Sequence, residues 1–462
     1  MNDLTSRQRK LVYAGCILVL LIPIVWLGAP TSEDVIPGSR ASVSGGVLAQ
    51  MRVKYDLGES TLGEIDPSSA AMNLVLLGLR GPAAGVLHLQ ALDYQEKKDW
   101  AKLKTTVDSI IKLQPHYVEI WKFQGWNLAF NVSREWDQVA DRFYWVKEGL
   151  KFLQLGTNRN QTSTFLYHNV GDFTGRKIGN SDEKKYFRKF FRSDPDTETF
   201  AGSADPEINP EGKDNYQVAH DWFEITNEKD RQYQIDGMTH VFARQGPSRS
   251  LFDYAKAMQE DGIFDETNRA AWDDAYTEWT DVYGKEPYFG LNDIKYQLNC
   301  TEDELAALAK ENGVPLEKQR SVWAQNVKMV NYTFWQMLAD CERDPLTVEA
   351  HRAIYNGKLA FARGETSGEE DASGELQPSN AQKLFEEGMT KFEQVLRKYP
   401  ALVYHDAYVE EGMLAVIYWR RIHQINGEEI PADYPLKSLM LENAGRQEEI
   451  NQLFTRELRQ GL

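Results

Sequence analysis

Aromatic and acidic side chains alternate in one segment of this sequence of 462 residues, and together they could bind or cleave a sugar. Trp272, Tyr276 and Trp279 recur at the spacing of one helix face. The acids beside them are Asp273, Asp274 and Glu278. Glycosidases use two carboxylates to cleave a sugar chain, and aromatic rings can hold that chain in place. A row at helical spacing is also what a helix presents to a core, so we favour a core role and keep a glycan hydrolase as the alternative.

A second group of side chains carries metal-binding atoms. His220 and Asp221 precede Asp236 and His240 in the same segment, but this spacing matches no familiar metal site, so we predict no bound metal. The motifs of nucleophilic, nucleotide and zinc chemistry are also missing, including G-x-S-x-G, the Walker loop and H-E-x-x-H. We expect no cofactor and no catalytic residue from a known motif, although a missing motif does not exclude an enzyme.

The overall composition narrows the class of protein. Three cysteines are too few for a disulfide scaffold or a cysteine-rich metal site, although Cys300 and Cys341 could pair in an oxidising compartment. The 69 acids exceed the 52 bases and give a net charge of −17, which repels the phosphates of nucleic acid. Apolar residues make up 42% of the chain, enough to build a folded core.

The elements that must position these residues begin with a membrane anchor. Residues 11–29 are uncharged and largely apolar, and a helix of that length spans about 28 Å, close to the thickness of a bilayer core. Three bases in the tail, residues 1–10, place the tail in the cytoplasm and the body on the extracytoplasmic side of the cell (inner) membrane. A cleaved signal peptide and a lipoprotein anchored at Cys16 are the alternatives. Residues 30–65 follow as a tether.

A spacing typical of helical hairpins repeats in the first part of the body. Large and small residues recur in three first helices: Leu87, Gln90, Ala91 and Tyr94; Trp121, Gln124, Gly125 and Leu128; Tyr167, Val170, Gly171 and Thr174. A small residue after a large one lets two helices pack closely. The pattern resembles the tetratricopeptide repeat, most clearly over residues 84–117. The resemblance implies a solenoid of helical hairpins over residues 66–190, but no specific activity.

Residues 63–133 resemble an uncharacterised group of membrane-anchored bacterial helical-repeat proteins. The stretches that carry this resemblance are DPSSAAMNLVLLGLRGPAAGVL and LQPHYVEIWKFQGWNLAFNVS. This second resemblance supports an anchor followed by repeats and implies no activity. Arg80 lies in the apolar run of the first stretch, where we expect it to pair with a carboxylate on a neighbouring helix.

The first helices of a tetratricopeptide array line a concave groove that holds peptides. The resemblance assigns ten residues to such a groove: His88, Gln95 and Glu96; Glu119, Lys122, Trp126 and Phe130; His168, Asp172 and Arg176. Together they would form a mixed-charge groove with an aromatic platform, suited to a peptide or a chain terminus. The same residues would also be ordinary on solvated helix faces.

The rest of the body is predicted to be helical as well. Residues 191–345 form a helical region with an acidic loop at 193–214, and residues 346–462 form C-terminal hairpins with an acidic insert at 364–375. No alternating apolar pattern indicates a substantial sheet, so we predict an all-α fold.

Two local signals mark helix starts in this region. Thr301-x-x-Glu304 is a capping box, in which each side chain bonds the backbone of the other residue. Asp344-Pro345 combines a capping acid with a proline in the first turn.

The anchor, the repeats and the missing motifs lead to one functional hypothesis. We expect a membrane-anchored scaffold that holds protein or peptide partners in a cell-envelope assembly. The alternative is an all-helical envelope glycan hydrolase, which would need paired carboxylates in a deep aromatic cleft. The scaffold hypothesis expects Trp272 and Trp279 to be buried instead.

Overall fold

Helices build almost all of the chain that the structure describes. The computed structural model describes residues 80–460, apart from 234, 236, 291–292 and 371–375, together with Val19. Its helices confirm the all-α prediction. The strands in this part are two antiparallel pairs of two residues each: β1 Tyr288–Phe289 with β2 Lys295–Tyr296, and β3 Glu369–Glu370 with β4 Leu376–Gln377. Strand pairs this short lie within loops and form no layer of the fold.

The described residues contain nineteen α-helices. They are α1 Arg80–Glu96, α2 Trp100–Leu113, α3 Val118–Trp126, α4 Val139–Arg159, α5 Thr164–Asp172, α6 Lys184–Arg192, α7 Thr197–Phe200, α8 Asn215–Tyr233, α9 His240–Ala243, α10 Gly246–Glu260, α11 Glu266–Thr277, α12 Glu302–Glu311, α13 Leu316–Met329, α14 Tyr332–Glu342, α15 Pro345–Ala362, α16 Asn380–Lys398, α17 Asp406–Asn426, α18 Lys437–Glu442 and α19 Gln447–Gln460.

The predicted membrane anchor cannot be compared with the structure. Among the described residues, no helix combines the length and the apolar character that crossing a membrane requires. The predicted tail, span and tether (residues 1–65) lie outside the described residues except for Val19, and so does the side chain of Arg80. The anchor and the ion pair of Arg80 therefore stay predictions.

The chain divides into two compact units, and the division falls within α5. Unit 1 extends to Leu166, and unit 2 begins at Tyr167. In unit 1, α1 packs on α2 and α3 packs on α4. Gly125 of α3 meets Gly149 of α4 so closely that a Cβ on Gly149 would lie 2.6 Å from the carbonyl oxygen of Gly125. The small residue of the repeated pattern thus brings two helices together.

Three π-helical segments hold the same position relative to a large aromatic residue. They cover residues 127–131 after α3, 173–177 after α5 and 278–283 after α11. Each begins six residues after the aromatic residue, and these residues are Trp121, Tyr167 and Trp272. A π-segment is rare and often occurs at a functional position in a helix. The third segment repeats this pattern of an aromatic residue followed by a π-segment at the end of α11, which lies beyond residues 66–190, the range of the predicted repeats.

The aromatic row lies in the core of unit 2. Trp272 and Trp279 are 3% and 0% exposed, and Tyr283 is also buried. The ring of Trp279 stacks on Tyr332 with 5.3 Å between centroids, and its indole N–H donates to the carbonyl of Tyr332 at 3.2 Å. The row therefore holds α11 against α14, and the predicted core role is confirmed.

A second core joins α15, α16 and α17 in the C-terminal part of unit 2. Phe385 and Phe392 of α16 are fully buried in it, together with Met413 of α17. Gly388 lets α16 approach α15 closely, because a Cβ at this position would lie 2.7 Å from Cγ1 of Ile354. Close packing of this kind fixes the register between the two helices.

The predicted helix starts are confirmed, and each follows from a local hydrogen bond. The Glu304 side chain accepts from the backbone N–H of Thr301 at 2.8 Å, and the Thr301 hydroxyl accepts from the backbone N–H of Glu304 at 3.3 Å. Asp344 caps α15 by accepting from the backbone N–H of Leu346 at 3.0 Å. The predicted acidic loop at 193–214 contains one short helix, α7.

Candidate functional site

The groove residues of the first two repeats come from neighbouring helices of unit 1. His88 of α1 packs edge-on against Phe123 of α3, with 6.0 Å between the ring centroids. Gln95 lies two turns further along α1 and donates to Oδ1 of Asn127 at 3.4 Å. Since α1 touches both α3 and the π-segment that follows it, the two first helices lie side by side. We call the surface formed by α1, α3 and residues 127–131 the α1–α3 face.

An exposed tryptophan, stacked on a half-buried phenylalanine, lies on the α1–α3 face. Trp126 is 43% exposed, and its ring stacks on Phe130 with 5.5 Å between centroids and 17° between planes. Lys122 lies one turn before Trp126, and its ammonium is 4.5 Å from the ring centre of Phe165. The exposed acids of the predicted set are Glu96 and Glu119. Charged groups of both signs therefore share this face with a flat apolar platform.

The third predicted set lies in unit 2, at a cavity of about 590 Å³ that we call cavity A. His168, Asp172 and Arg176 all line cavity A, so the structure keeps these three residues together. Nε of Arg176 lies 3.0 Å from Asp172, which satisfies this pair of charges. His168 packs against Phe223, and burial lowers the pKa of His168, so its imidazole is neutral at pH 7.

Cavity A is completed by residues that the sequence analysis did not single out. Arg249 and Asp253 of α10 line it together with Trp335 of α14. The guanidinium carbon of Arg249 lies 3.3 Å from the ring centre of Trp335. The i, i+4 spacing of Arg249 and Asp253 in a predicted helix was a sign that they share a face. The contact with Trp335 joins distant segments of the chain, and no sequence signal marked it.

Arg249 and Asp253 are charged groups without an ion-pair partner among the described residues. Nη1 of Arg249 is buried and has no hydrogen-bond partner in that part of the chain. Burial lowers the pKa of Arg249 and raises the pKa of Asp253, while the attraction between the two groups opposes both changes. A polar group that is buried without a partner costs free energy, and a bound ligand can recover that cost.

A second cavity of about 600 Å³, cavity B, shares Arg249, Asp253 and Trp335 with cavity A as lining residues. Among its polar side chains, an imidazole lies between two carboxylates. Nδ1 of His351 lies 2.8 Å from Glu411, and Nε2 of His351 lies 3.4 Å from Glu342. Burial alone would lower the pKa of His351, but the two carboxylates raise that pKa well above 6.5. His351 is therefore a buried cation held between two acids.

Apart from Asp253, the acids of cavity B serve as partners in ion pairs and hydrogen bonds. Glu342 accepts from the hydroxyl of Tyr408 at 2.6 Å in addition to its contact with His351. The other pairs are Glu260 with Lys184, Glu457 with Lys358 and Glu410 with Arg446. A glycosidase uses two carboxylates to act on a sugar, and Asp253 is the one acid of this lining without an ion-pair partner among the described residues.

Three of the four candidate metal ligands lie in the described part of the chain, and His240 does not join His220 and Asp221 in one cluster. Nδ1 of His240 lies 2.6 Å from Asp230, whereas Nδ1 of His220 lies 3.5 Å from Asp221. Asp236 lies outside the described residues. The two histidines therefore belong to separate ion-pair groups.

Cys300 and Cys341 are free thiols in the structure. Cys341 is buried, with its Sγ 3.4 Å from the hydroxyl of Thr347 and 3.6 Å from that of Tyr408. Burial raises the pKa of Cys341 to about 12, so its reactive thiolate is scarce at neutral pH.

Comparison with known proteins adds no assignment: no model of a protein family matches the chain, and no curated protein matches its sequence. The geometry described above is therefore the basis for a functional proposal.

Proposed function

We propose that this chain is a membrane-anchored scaffold that binds peptide segments of partner proteins on its α1–α3 face. Residues 11–29 would anchor it, and the body would hold its partners in a cell-envelope assembly on the extracytoplasmic side. The bases of the tail support this orientation. The body would be a solenoid of tetratricopeptide-like hairpins. The equivalent π-segments after Trp121, Tyr167 and Trp272 support such a repeat.

One observation carries the binding proposal, namely the exposed ring of Trp126 and its stacking on the half-buried Phe130. A large aromatic surface that stays in water is a typical anchor of a protein interface, because covering it releases water from apolar area. Two rings held at 17° present one flat surface, on which an apolar side chain of a peptide can lie.

The polar residues of the same face suit the backbone of an extended peptide. Gln95 and Asn131 both donate to Oδ1 of Asn127, at 3.4 and 2.9 Å. Nδ2 of Asn127 is buried without a hydrogen-bond partner among the described residues. Amide side chains can exchange such bonds for bonds to a peptide, which would fix the direction of the bound segment.

The test is crosslinking in native membranes followed by purification of the full-length chain and identification of the captured proteins. We expect Trp126→Ala to reduce stoichiometric capture at least about tenfold, since interface anchors of this kind contribute about 2 kcal/mol or more. Trp136→Ala is the matched control, because Trp136 is 42% exposed but lies outside the predicted groove positions. Capture that is equally weakened by both variants, or no stoichiometric partner at all, would contradict the proposal.

The orientation has a separate test. Single cysteines placed in the tether, residues 30–65, should react with a membrane-impermeant thiol reagent added outside the cytoplasmic membrane. Labelling only from the cytoplasmic side would overturn the proposed placement of the body.

A further inference from the structure

Helix α10 places one cation and one acid, both without an ion-pair partner among the described residues, in the wall that cavity A shares with cavity B. Arg249 and Asp253 are four residues apart, so their side chains lie on one face with about 5–6 Å between their Cβ atoms. The remaining charged groups of cavity A are Asp172 and Arg176, which pair with each other. His168 is neutral at pH 7 because burial lowers its pKa. The lining is therefore neutral in sum but leaves two separate opposite charges unsatisfied.

A cavity that is neutral overall but holds two separated opposite charges favours a ligand that is also neutral overall and carries two separated opposite charges. A simple anion would pair with Arg249 but would lie beside the carboxylate of Asp253, and a simple cation would meet the converse repulsion. The guanidinium of Arg249 lies over the ring of Trp335, so a sugar cannot stack on that side of this ring. A zwitterion can pair its anionic group with Arg249 and its cationic group with Asp253 at the same time.

We propose that cavity A binds a free α-amino acid with a large apolar side chain, whose carboxylate contacts Arg249 and whose ammonium contacts Asp253. The contact with the ring of Trp335 fixes the guanidinium at the wall of cavity A, where Nη1 has no hydrogen-bond partner among the described residues. A carboxylate is the group that such a fork of N–H donors binds best.

The rest of cavity A suits an apolar side chain. Phe223, Phe242, Met329 and Val330 contribute an apolar wall. Gly171 and Gly246 of the same lining carry no side chain, and the ring of Phe223 lies directly against both. The volume of about 590 Å³ leaves room for a ligand of this size beside that wall. The site uses residues of unit 2 alone, so it stands or falls independently of binding on the α1–α3 face.

The first test is calorimetric titration of the full-length chain in detergent with defined probes. We expect L-phenylalanine to bind. Phenylpropionate, which lacks the ammonium, and phenylalaninamide, which lacks the carboxylate, should each bind at least about tenfold more weakly. L-Glutamate, which has a charged side chain, should also bind more weakly. No binding of any amino acid, or equal binding of phenylpropionate or inorganic phosphate, would overturn the proposal.

The second test assigns the two contacts. Arg249→Gln and Asp253→Asn should each weaken binding of L-phenylalanine about 10- to 100-fold, as loss of a charged hydrogen bond does. Arg343→Gln is the matched control, since this arginine also lies over a ring, that of Tyr276 at 3.9 Å, but pairs with Asp340 at 3.0 Å and lines neither cavity. A loss in the control as large as in the other two variants would contradict the assignment. If a variant fails to fold, titration of the unaltered chain with L-phenylalanine and its analogues still tests whether cavity A recognises both charges of the ligand.

Discussion

The buried cation His351 provides the sharpest test of the structure. Replacement by leucine keeps a side chain of similar size but leaves Glu342 and Glu411 without their shared partner. Breaking a buried ion pair by removing one member costs about 3–5 kcal/mol, because the remaining charge stays buried. Glu342 keeps two donors, the hydroxyl of Tyr408 at 2.6 Å and the amide of Gln259 at 3.1 Å. We therefore expect a loss near the lower end, about 3 kcal/mol.

Urea unfolding of the purified chain, followed by tryptophan fluorescence, measures this loss from the shift of the transition midpoint. His240→Leu is the matched control. His240 also contacts a carboxylate, at 2.6 Å, but its side chain is 42% exposed, and the partner Asp230 keeps Arg244 at 2.9 Å. The control should cost less than His351→Leu, because the buried carboxylate of Asp230 keeps Arg244 and the backbone N–H of Ile235 as donors.

A partial rescue isolates the ion pair from simple packing. Glu342→Gln, added to His351→Leu, removes the buried charge, so the double variant should lose about 1–3 kcal/mol less than the sum of the single losses. The reasoning is refuted if His351→Leu costs no more than the control, or if the two losses simply add.

The same group gives the protein a defined dependence on pH. Because the folded-state pKa of His351 is raised above the unfolded value of about 6.5, its stabilisation is complete below pH 6.5 and is lost as the pH rises through the folded pKa. Above pH 6.5 the stability advantage of the unaltered chain over His351→Leu should therefore shrink, by up to about 1.4 kcal/mol per pH unit. An advantage that grows with pH would contradict the charged state of His351.

Three further predictions concern packing, a helix cap and a thiol. Gly125→Ala should lower the free energy of unfolding by about 1–3 kcal/mol, since its Cβ would lie 2.6 Å from Leu153, whereas Gly85→Ala, with open space around it, should raise stability by about 0.5–1 kcal/mol in the same urea assay. Equal effects at both glycines would argue against the close helix pair. Thr301→Ala should cost about 1 kcal/mol through loss of the capping box, and Thr301→Ser should restore most of it; an unchanged midpoint would count against the cap. Cys341 should resist iodoacetamide at pH 8 in the folded chain and react in urea, as peptide mass spectrometry can show; rapid labelling of the folded chain would contradict its burial.

Local signals explain why much of the fold could be predicted from the sequence. The capping box at Thr301 and the acid-proline start at Asp344 act within one turn of a helix, so neighbouring residues alone determine them. The helical spacing of Trp272 and Trp279 likewise predicted a buried row, because periodicity shows which face of a helix is apolar. The π-segments were not predicted, since the apolar pattern continues through them without a break.

In the candidate sites too, helical spacing predicted which residues share a face. His168, Asp172 and Arg176 recur four residues apart on successive turns, so their common face was visible in the sequence, and the structure places all three at cavity A. The stack of Trp126 on Phe130 follows from the same spacing. Periodicity gives the face of a helix, but not the helix that the face meets.

The sequence by itself determined the helices, their starts and their apolar faces, because these depend on contacts within a few residues. Only the tertiary structure decided that Arg249 lies on Trp335 and that His351 lies between Glu342 and Glu411. The contacts of Arg249 with Trp335 and of His351 with Glu411 join helices far apart in the chain, and they depend on how side chains of α10, α14, α15 and α17 fill the space between them. Close packing allows few such arrangements, and every helix in the unit takes part in selecting one.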